Sequence, residues 1–188
     1  MLDKVKQFVD KSFANSIYGS GSTKHFERTV DWLKELKSDA DEPMLIAAYA
    51  HDIERAFRDG NSQEDFFKDK EFNDRDFLAN HQTKGAEIIS DFLRKQNYPE
   101  NEIKRIYNMI RYHEEGGDEE SNLIKDADSI SYLENNAAKH TKWISSLGAD
   151  KVKRKIDWMY NRISLKKAKF LASPFYNKVL EKLVTNRE

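Results

Sequence analysis

Apolar residues recur at helical spacing through most of this 188-residue chain, and no stretch alternates with period two for long enough to predict a strand. The pattern predicts about eight helices. The first covers roughly 3–15 and is followed by a loop, Tyr18-Gly19-Ser20-Gly21-Ser22. Thr23 can cap a second helix running to about Lys37, with Phe26, Val30, Leu33 and Leu36 on one face. Pro43 opens a third at a position where its missing N–H costs little, and Met44–Ala50 is apolar nearly all round, which places it in the core. Residues 58–74 are polar, with Phe66, Phe67 and Phe72 as anchors. Helices are then expected over 75–96, from Pro99 to a stop at Gly116-Gly117, and over 120–146, 150–171 and 174–185. With no linker visible, the expectation is one all-α domain over residues 1–188.

Composition narrows this further. Seven glycines and three prolines are too few for a turn-rich all-β fold, and 12% aromatic residues argue against general disorder. The absence of cysteine excludes disulfides, thiolate metal sites and cysteine nucleophiles. Nothing approaches the ~20 apolar residues of a membrane span, and Met1–Val5 lacks the apolar run of a secretory signal, so a cytoplasmic protein without membrane contact is expected. Charge is unevenly distributed. Residues 139–188 carry 13 basic against 4 acidic residues, a net of +9, whereas residues 1–138 carry 19 against 29, a net of −10. Arg162, Lys166 and Lys169 are expected to share a helix face. Such an excess is either a solvated surface or a flank that attracts an anionic substrate. No nucleic-acid motif accompanies it, so no nucleic-acid partner is expected.

Four of the five histidines fall on inward-looking positions. His81 lies in the stripe of Leu78, Gly85, Ile88, Ile89 and Phe92, with Gly85 leaving room one turn later. His113 continues the stripe of Ile103, Ile106 and Ile110. His25 shares a face with Thr29, Trp32 and Leu36, and His51-Asp52 follows seven residues that read as buried. Asp128 shares a stripe with Ile124, Ala127 and Ser131. A lone inward histidine is ordinarily a satisfied core residue. A carboxylate on an apolar face, however, is costly unless it is paired, hydrogen-bonded or bound to metal. Convergence on metal would resolve all six at once. An imidazole and carboxylate site suits Fe, Mn, Zn, Co or Ni better than Mg or Ca.

The ordered set His25, His51-Asp52, His81, His113 and Asp128 resembles the HD-domain superfamily of metal-dependent phosphohydrolases. His25-Phe26-Glu27-Arg28-Thr29-Val30 is similar to that family's opening His-x-x-Arg-x-Val, and Ala48–Arg55 to its His-Asp helix, with Glu54 where glycine is common. Lys125-Asp126-Ala127-Asp128 resembles the closing Asp-Ala-Asp segment, where Asp128 is the expected ligand and Asp126 the alternative. His81–Ala86 and Arg111–Gly117 resemble the elements that bind a second metal in two-metal members. Tyr112 stands where those members have the first of two histidines, and the Gly-Tyr-Pro element of cyclic-di-GMP phosphodiesterases is absent.

The resemblance spans about residues 23–135. It implies a helical bundle holding one or two divalent transition metals on His25, His51, Asp52, His81, His113 and Asp128. Asp52 would bridge the ions and the nucleophilic water, and the substrate would be a small phosphorylated molecule such as a nucleotide. Arg28, Arg55, Lys84 and Arg111 are the candidates for phosphate contacts, each of which can equally be a surface ion-pair partner. His140 falls outside the pattern. Two other readings share the fold. One is a mixed-valent diiron oxygenase, for which Tyr18 and its glycine loop would serve as a lid, and the other is a non-catalytic nucleotide-sensing module.

Overall fold

The computed structural model describes residues 1–16, 23–58, 67–68 and 71–185. Among these residues the chain is helical, with no strand. Helices α1 (Leu2–Ala14), α2 (Thr23–Leu36), α3 (Glu42–Ala50), α4 (Arg75–Lys95), α5 (Glu100–Arg111) and α6 (Glu119–Asn135) come first. Short pieces follow, α7 (Ala137–His140), a 3-10 turn at Thr141–Trp143 and α8 (Ile144–Leu147), and then α9 (Ala149–Asn161) and α10 (Lys166–Thr185). A further 3-10 turn, Ile53–Phe57, follows the His51-Asp52 pair. The expected loop at Tyr18–Ser22, with the lid reading attached to it, and Phe66 lie outside the described residues.

Aspartates start three of these helices. The carboxylates of Asp41, Asp74 and Asp118 accept from the backbone N–H groups of Met44, Phe77 and Ser121, at 3.3, 2.8 and 2.7 Å. Each satisfies one of the donors that a helix leaves open at its first turn. Helix α3 is buried along most of its length, as its all-round apolar character predicts. It belongs to a first hydrophobic core built by α1–α5 and the start of α6 (Val9, Phe26, Leu33, Ile46, Ile89, Ile106 and Ile124 among others). A second core joins the end of α6 to α9 and α10 through Ile130, Leu133, Ile156, Met159, Ala168 and Ala172. Trp32 and Leu36 pack against both. Helix α6 contacts α2, α3, α5, α9 and α10, and is the axis around which the two cores meet.

Three expected boundaries move. The helix expected over 120–146 ends at Asn135, whose side-chain amide donates to the Ser131 carbonyl at 3.1 Å and competes with the backbone ladder. The chain then turns through short pieces to Gly148, which holds a φ of +83°. The helix expected to reach Gly116 stops at Arg111, so His113 lies just beyond the helix rather than on its stripe. The break expected near Pro174 falls instead at 162–165, and α10 runs through Pro174. The Asp126 carboxylate causes that earlier break by accepting from the backbone N–H groups of Ser164 and Leu165 at 2.9 and 2.8 Å, immediately ahead of α10. The carbonyl that Pro174 leaves without its helical donor belongs to Phe170, which is 79% exposed and open to water.

Candidate metal centre

His25, His51, His81 and His113 are buried and arrive from four different elements, α2, the end of α3, α4 and the turn after α5. Each ring is fixed through Nδ1. His51 Nδ1 donates to the Ala48 carbonyl at 2.9 Å, and His113 Nδ1 to the Ile110 carbonyl at 2.7 Å. Both use the same device: an imidazole just past a helix end turns back onto a carbonyl of the last turn. His81 Nδ1 donates to Glu54 Oε2 at 2.6 Å, a carboxylate also gripped by Arg58. His25 Nδ1 lies 2.7 Å from Ser131 Oγ. That hydroxyl donates its own proton to the His25 carbonyl, so it accepts from the ring.

With every Nδ1 donating, each Nε2 carries the lone pair when its ring is neutral, and all four point toward two carboxylates. His25 Nε2 is 3.1 Å and His51 Nε2 3.4 Å from Asp128 Oδ1. His51 Nε2 is 3.6 Å from Asp52 Oδ2, whereas His81 Nε2 and His113 Nε2 face Asp52 Oδ1 at 3.1 and 4.0 Å. The donor atoms form two groups, His25–His51–Asp52 and Asp52–His81–His113, each within 4.8 Å and sharing Asp52. The Nε2 atoms of His51 and His113 are buried and have no hydrogen-bond partner. Buried polar atoms without partners are rare in folded proteins, and two lone pairs orphaned beside two carboxylates fit a cation.

The electrostatics agree with this fit. Burial opposes charge on His51, but Asp52 and Asp128 outweigh it and raise this imidazole to about 9. Burial lowers His113 to about 4, which keeps it a neutral donor. Burial likewise opposes ionisation of Asp52, yet Arg55 and His51 beside it hold the carboxyl well below its usual range. The cluster therefore draws positive charge to itself.

Gly85 of α4 stands at a close approach. A Cβ at this position would stand 3.3 Å from the His51 carbonyl and 3.8 Å from Glu54 Cβ. The glycine lets α4 approach the His51-Asp52 segment, rather than making room beside the His81 ring.

The two aspartates of the Asp-Ala-Asp segment separate. Asp128 faces His25 and His51, while Asp126 is two residues away on another face of α6 and caps α10. Asp128 also receives Arg162, whose guanidinium is buried between Asp128, Glu114 and the Ser129 hydroxyl. Arg162 thus departs from the expected surface face shared with Lys166 and Lys169; it ends α9, before α10 begins.

A cavity of about 410 Å³ opens onto the cluster at His25, Asp52 and Asp128. Of the expected phosphate contacts, Arg55 lines it and pairs with Asp52 at 2.9 Å. Arg28 is turned away, held by Glu134 at 2.9 Å and Asp31 at 2.8 Å. Lys84 is exposed on α4, and Arg111 lies over the Tyr112 ring, so neither reaches the cavity. The far wall comes from segments that the sequence pattern left unassigned. Tyr132, Asn136, Lys139, His140, Lys142, Trp143 and Lys155 all line it. His140, expected outside the site, is buried in that wall, 2.7 Å from the Tyr132 hydroxyl and stacked on Trp143 at 4.0 Å between centroids. Glu54, Glu114 and Ser131 were also missed as functional residues. Ser131 alone carried a signal, through its stripe with Asp128.

The chain resembles the crystal structure of a predicted HD superfamily hydrolase from an uncultured Thermotogales bacterium, with a TM-score of 0.59 and 19% identity over 97% of this chain and 89% of that one. It belongs to the family described as Domain of unknown function (DUF4202), whose model matches residues 9–184. No curated protein matches it. No helix among the described residues is long and apolar enough to cross a membrane.

Proposed function

We propose that this protein is a metal-dependent phosphohydrolase that cleaves a phosphoester or phosphoanhydride of a small phosphorylated molecule such as a nucleotide. His25, His51, Asp52, His81, His113 and Asp128 would hold one or two divalent transition metals. The observation that carries this reading is the set of four Nε2 lone pairs, each fixed by an Nδ1 hydrogen bond and two of them without any partner, around Asp52 and Asp128. A bound divalent metal supplies Lewis acidity, lowering the pKa of water toward neutrality and offsetting charge on phosphoryl oxygens.

The chain's own residues supply the rest. Asp52 turns one oxygen to His51 and the other to His81 and His113, so a single carboxylate serves both halves of the donor set. Arg55 stands beside Asp52 in the cavity wall, where its charge can attract a phosphoryl oxygen. Phe26, Phe67 and Phe72 in the cavity wall keep bulk water from the phosphoryl group and strengthen these charge interactions.

Metal analysis of the purified protein, followed by phosphate release from a panel of phosphomonoesters, phosphodiesters and nucleoside triphosphates with Mn, Co, Ni, Fe or Zn, tests this. Stoichiometric metal with metal-dependent phosphate release is expected. A folded protein that binds no metal overturns the reading. Oxygen consumption by the iron-loaded protein without phosphate release would place it with the oxygenases instead.

A further inference from the structure

Lys155, on α9, lies outside the sequence motifs that resemble the HD superfamily. It is 9% exposed and lines the same cavity as Arg55, Asp52 and Asp128. Among the described residues its ammonium makes no hydrogen bond or ion pair. Its nearest contacts are aromatic faces, with Trp158 at 4.3 Å, Tyr132 at 5.6 Å and Phe72 at 5.7 Å from Nζ. Glu114 and Asp128, the acids whose charge acts on it, are both paired with Arg162. A buried cation without an anionic partner is costly, and a ligand that brings the anion removes that cost.

We propose that Lys155, which lines the same cavity as Arg55, forms an anion subsite for the substrate's phosphoryl group and favours a dianionic phosphomonoester over a monoanionic diester. The inference rests on the phosphohydrolase reading for its substrate class, although the subsite itself is read from the lysine's position. Two cations beside the metal donors match the charge of a terminal phosphate, whereas a diester brings one negative charge and leaves part of that attraction unused. Burial lowers Lys155 to about 7, which leaves the ammonium poised for an anion to restore its charge. The three rings supply an apolar, low-dielectric wall that strengthens the contact once water is displaced. They also support a competing role, in which Lys155 only packs against aromatic faces.

The test compares wild type, Lys155→Met and Lys155→Arg at equal metal content, using inorganic phosphate as the probe and 31P line broadening as the readout. Lys155→Met is expected to weaken phosphate binding by about tenfold, the loss of one charge-assisted hydrogen bond, and Lys155→Arg to retain most of it. Phosphate should also protect Lys155 of the wild type from acylation, read by peptide mass mapping, which requires no variant to fold. With p-nitrophenyl phosphate and bis-p-nitrophenyl phosphate as substrates, the preference for the monoester should fall in Lys155→Met. Equal phosphate binding by wild type and Lys155→Met, or labelling of Lys155 that phosphate does not slow, overturns the subsite and leaves the lysine an aromatic-packing residue. Absence of hydrolysis by metal-loaded wild type overturns the phosphohydrolase reading separately, because phosphate binding and protection are measured without turnover.

Discussion

The layer built by α1–α5 and the layer built by α9 and α10 meet across α6, and they present opposite chemistry to one cavity. The first contributes imidazoles and a carboxylate, the rings held by hydrogen bonds such as those of His51 to Ala48 and His113 to Ile110. The second contributes cations carried across from the other core, Lys155 in the cavity wall and Arg162 buried against Asp128 and Glu114 behind it. Donor groups have to be preorganised by short-range geometry, because a lone pair misaligned by an ångström loses its ligand. A cation on a long side chain can act from farther away. The difference separates a rigid half that defines the chemistry from an adaptable half that balances its charge.

The comparison can be broken most sharply at Asp52, which serves both donor groups. Asp52→Asn should abolish hydrolysis, with a loss on the order of 10³–10⁴-fold, and lower bound metal while the helical circular dichroism spectrum stays close to wild type. Retention of full metal and full rate would remove Asp52 from the chemistry. The next largest effect is expected at the cation of the opposite layer. Arg162→Met leaves Glu114 and Asp128 buried without their shared partner, and should cost about 3 kcal/mol in chelator-treated protein. Added Zn or Mn should recover part of that loss in thermal melts, because a metal on the Asp128 side replaces the missing positive charge. An equal loss with and without metal would mean that Arg162 and the metal site are independent. Asp126→Asn weakens the cap on α10 and should cost about 1–2 kcal/mol by denaturant titration, with metal stoichiometry kept and metal affinity lowered slightly through α6. The smallest effect is expected at His140→Phe, which keeps the stacking on Trp143 but removes the partner of the Tyr132 hydroxyl, costing about 1 kcal/mol with metal stoichiometry unaffected.

The helical character and the four inward histidines were legible because both depend on short-range periodicity and on the cost of burying a charge. His25 and His81 sit on their predicted stripes. His113 was legible as an inward residue, but not as a ring placed beyond a helix end, since the stop at Arg111 has no glycine or proline of its own. The cavity wall was illegible for a different reason. His140, Lys155 and Arg162 reach the site only through the packing of α9 and α10 on α6, and no local pattern distinguishes a lysine facing a cavity from one facing water. Arg28 illustrates the converse. It stands three residues after His25, in a segment that resembles the family's opening motif, yet a two-point grip by Glu134 turns it away.

Asp126 and Asp128 lie two residues apart on one helix, and their carboxylates look in different directions. One closes on the backbone at Ser164 and Leu165, and the other faces the imidazoles. The axis of α6 therefore works as a gear. A small rotation that re-aims Asp128 must also pull on the start of α10, and a disturbance at the C-terminal helix returns along the same shaft to the donor atoms. Trimming or exchanging the C-terminal segment consequently amounts to adjusting the centre from a distance. A hybrid that joins this α6 to a foreign C-terminal pair of helices would have to reproduce the backbone pair at 164–165 to keep Asp128 aimed at the imidazoles.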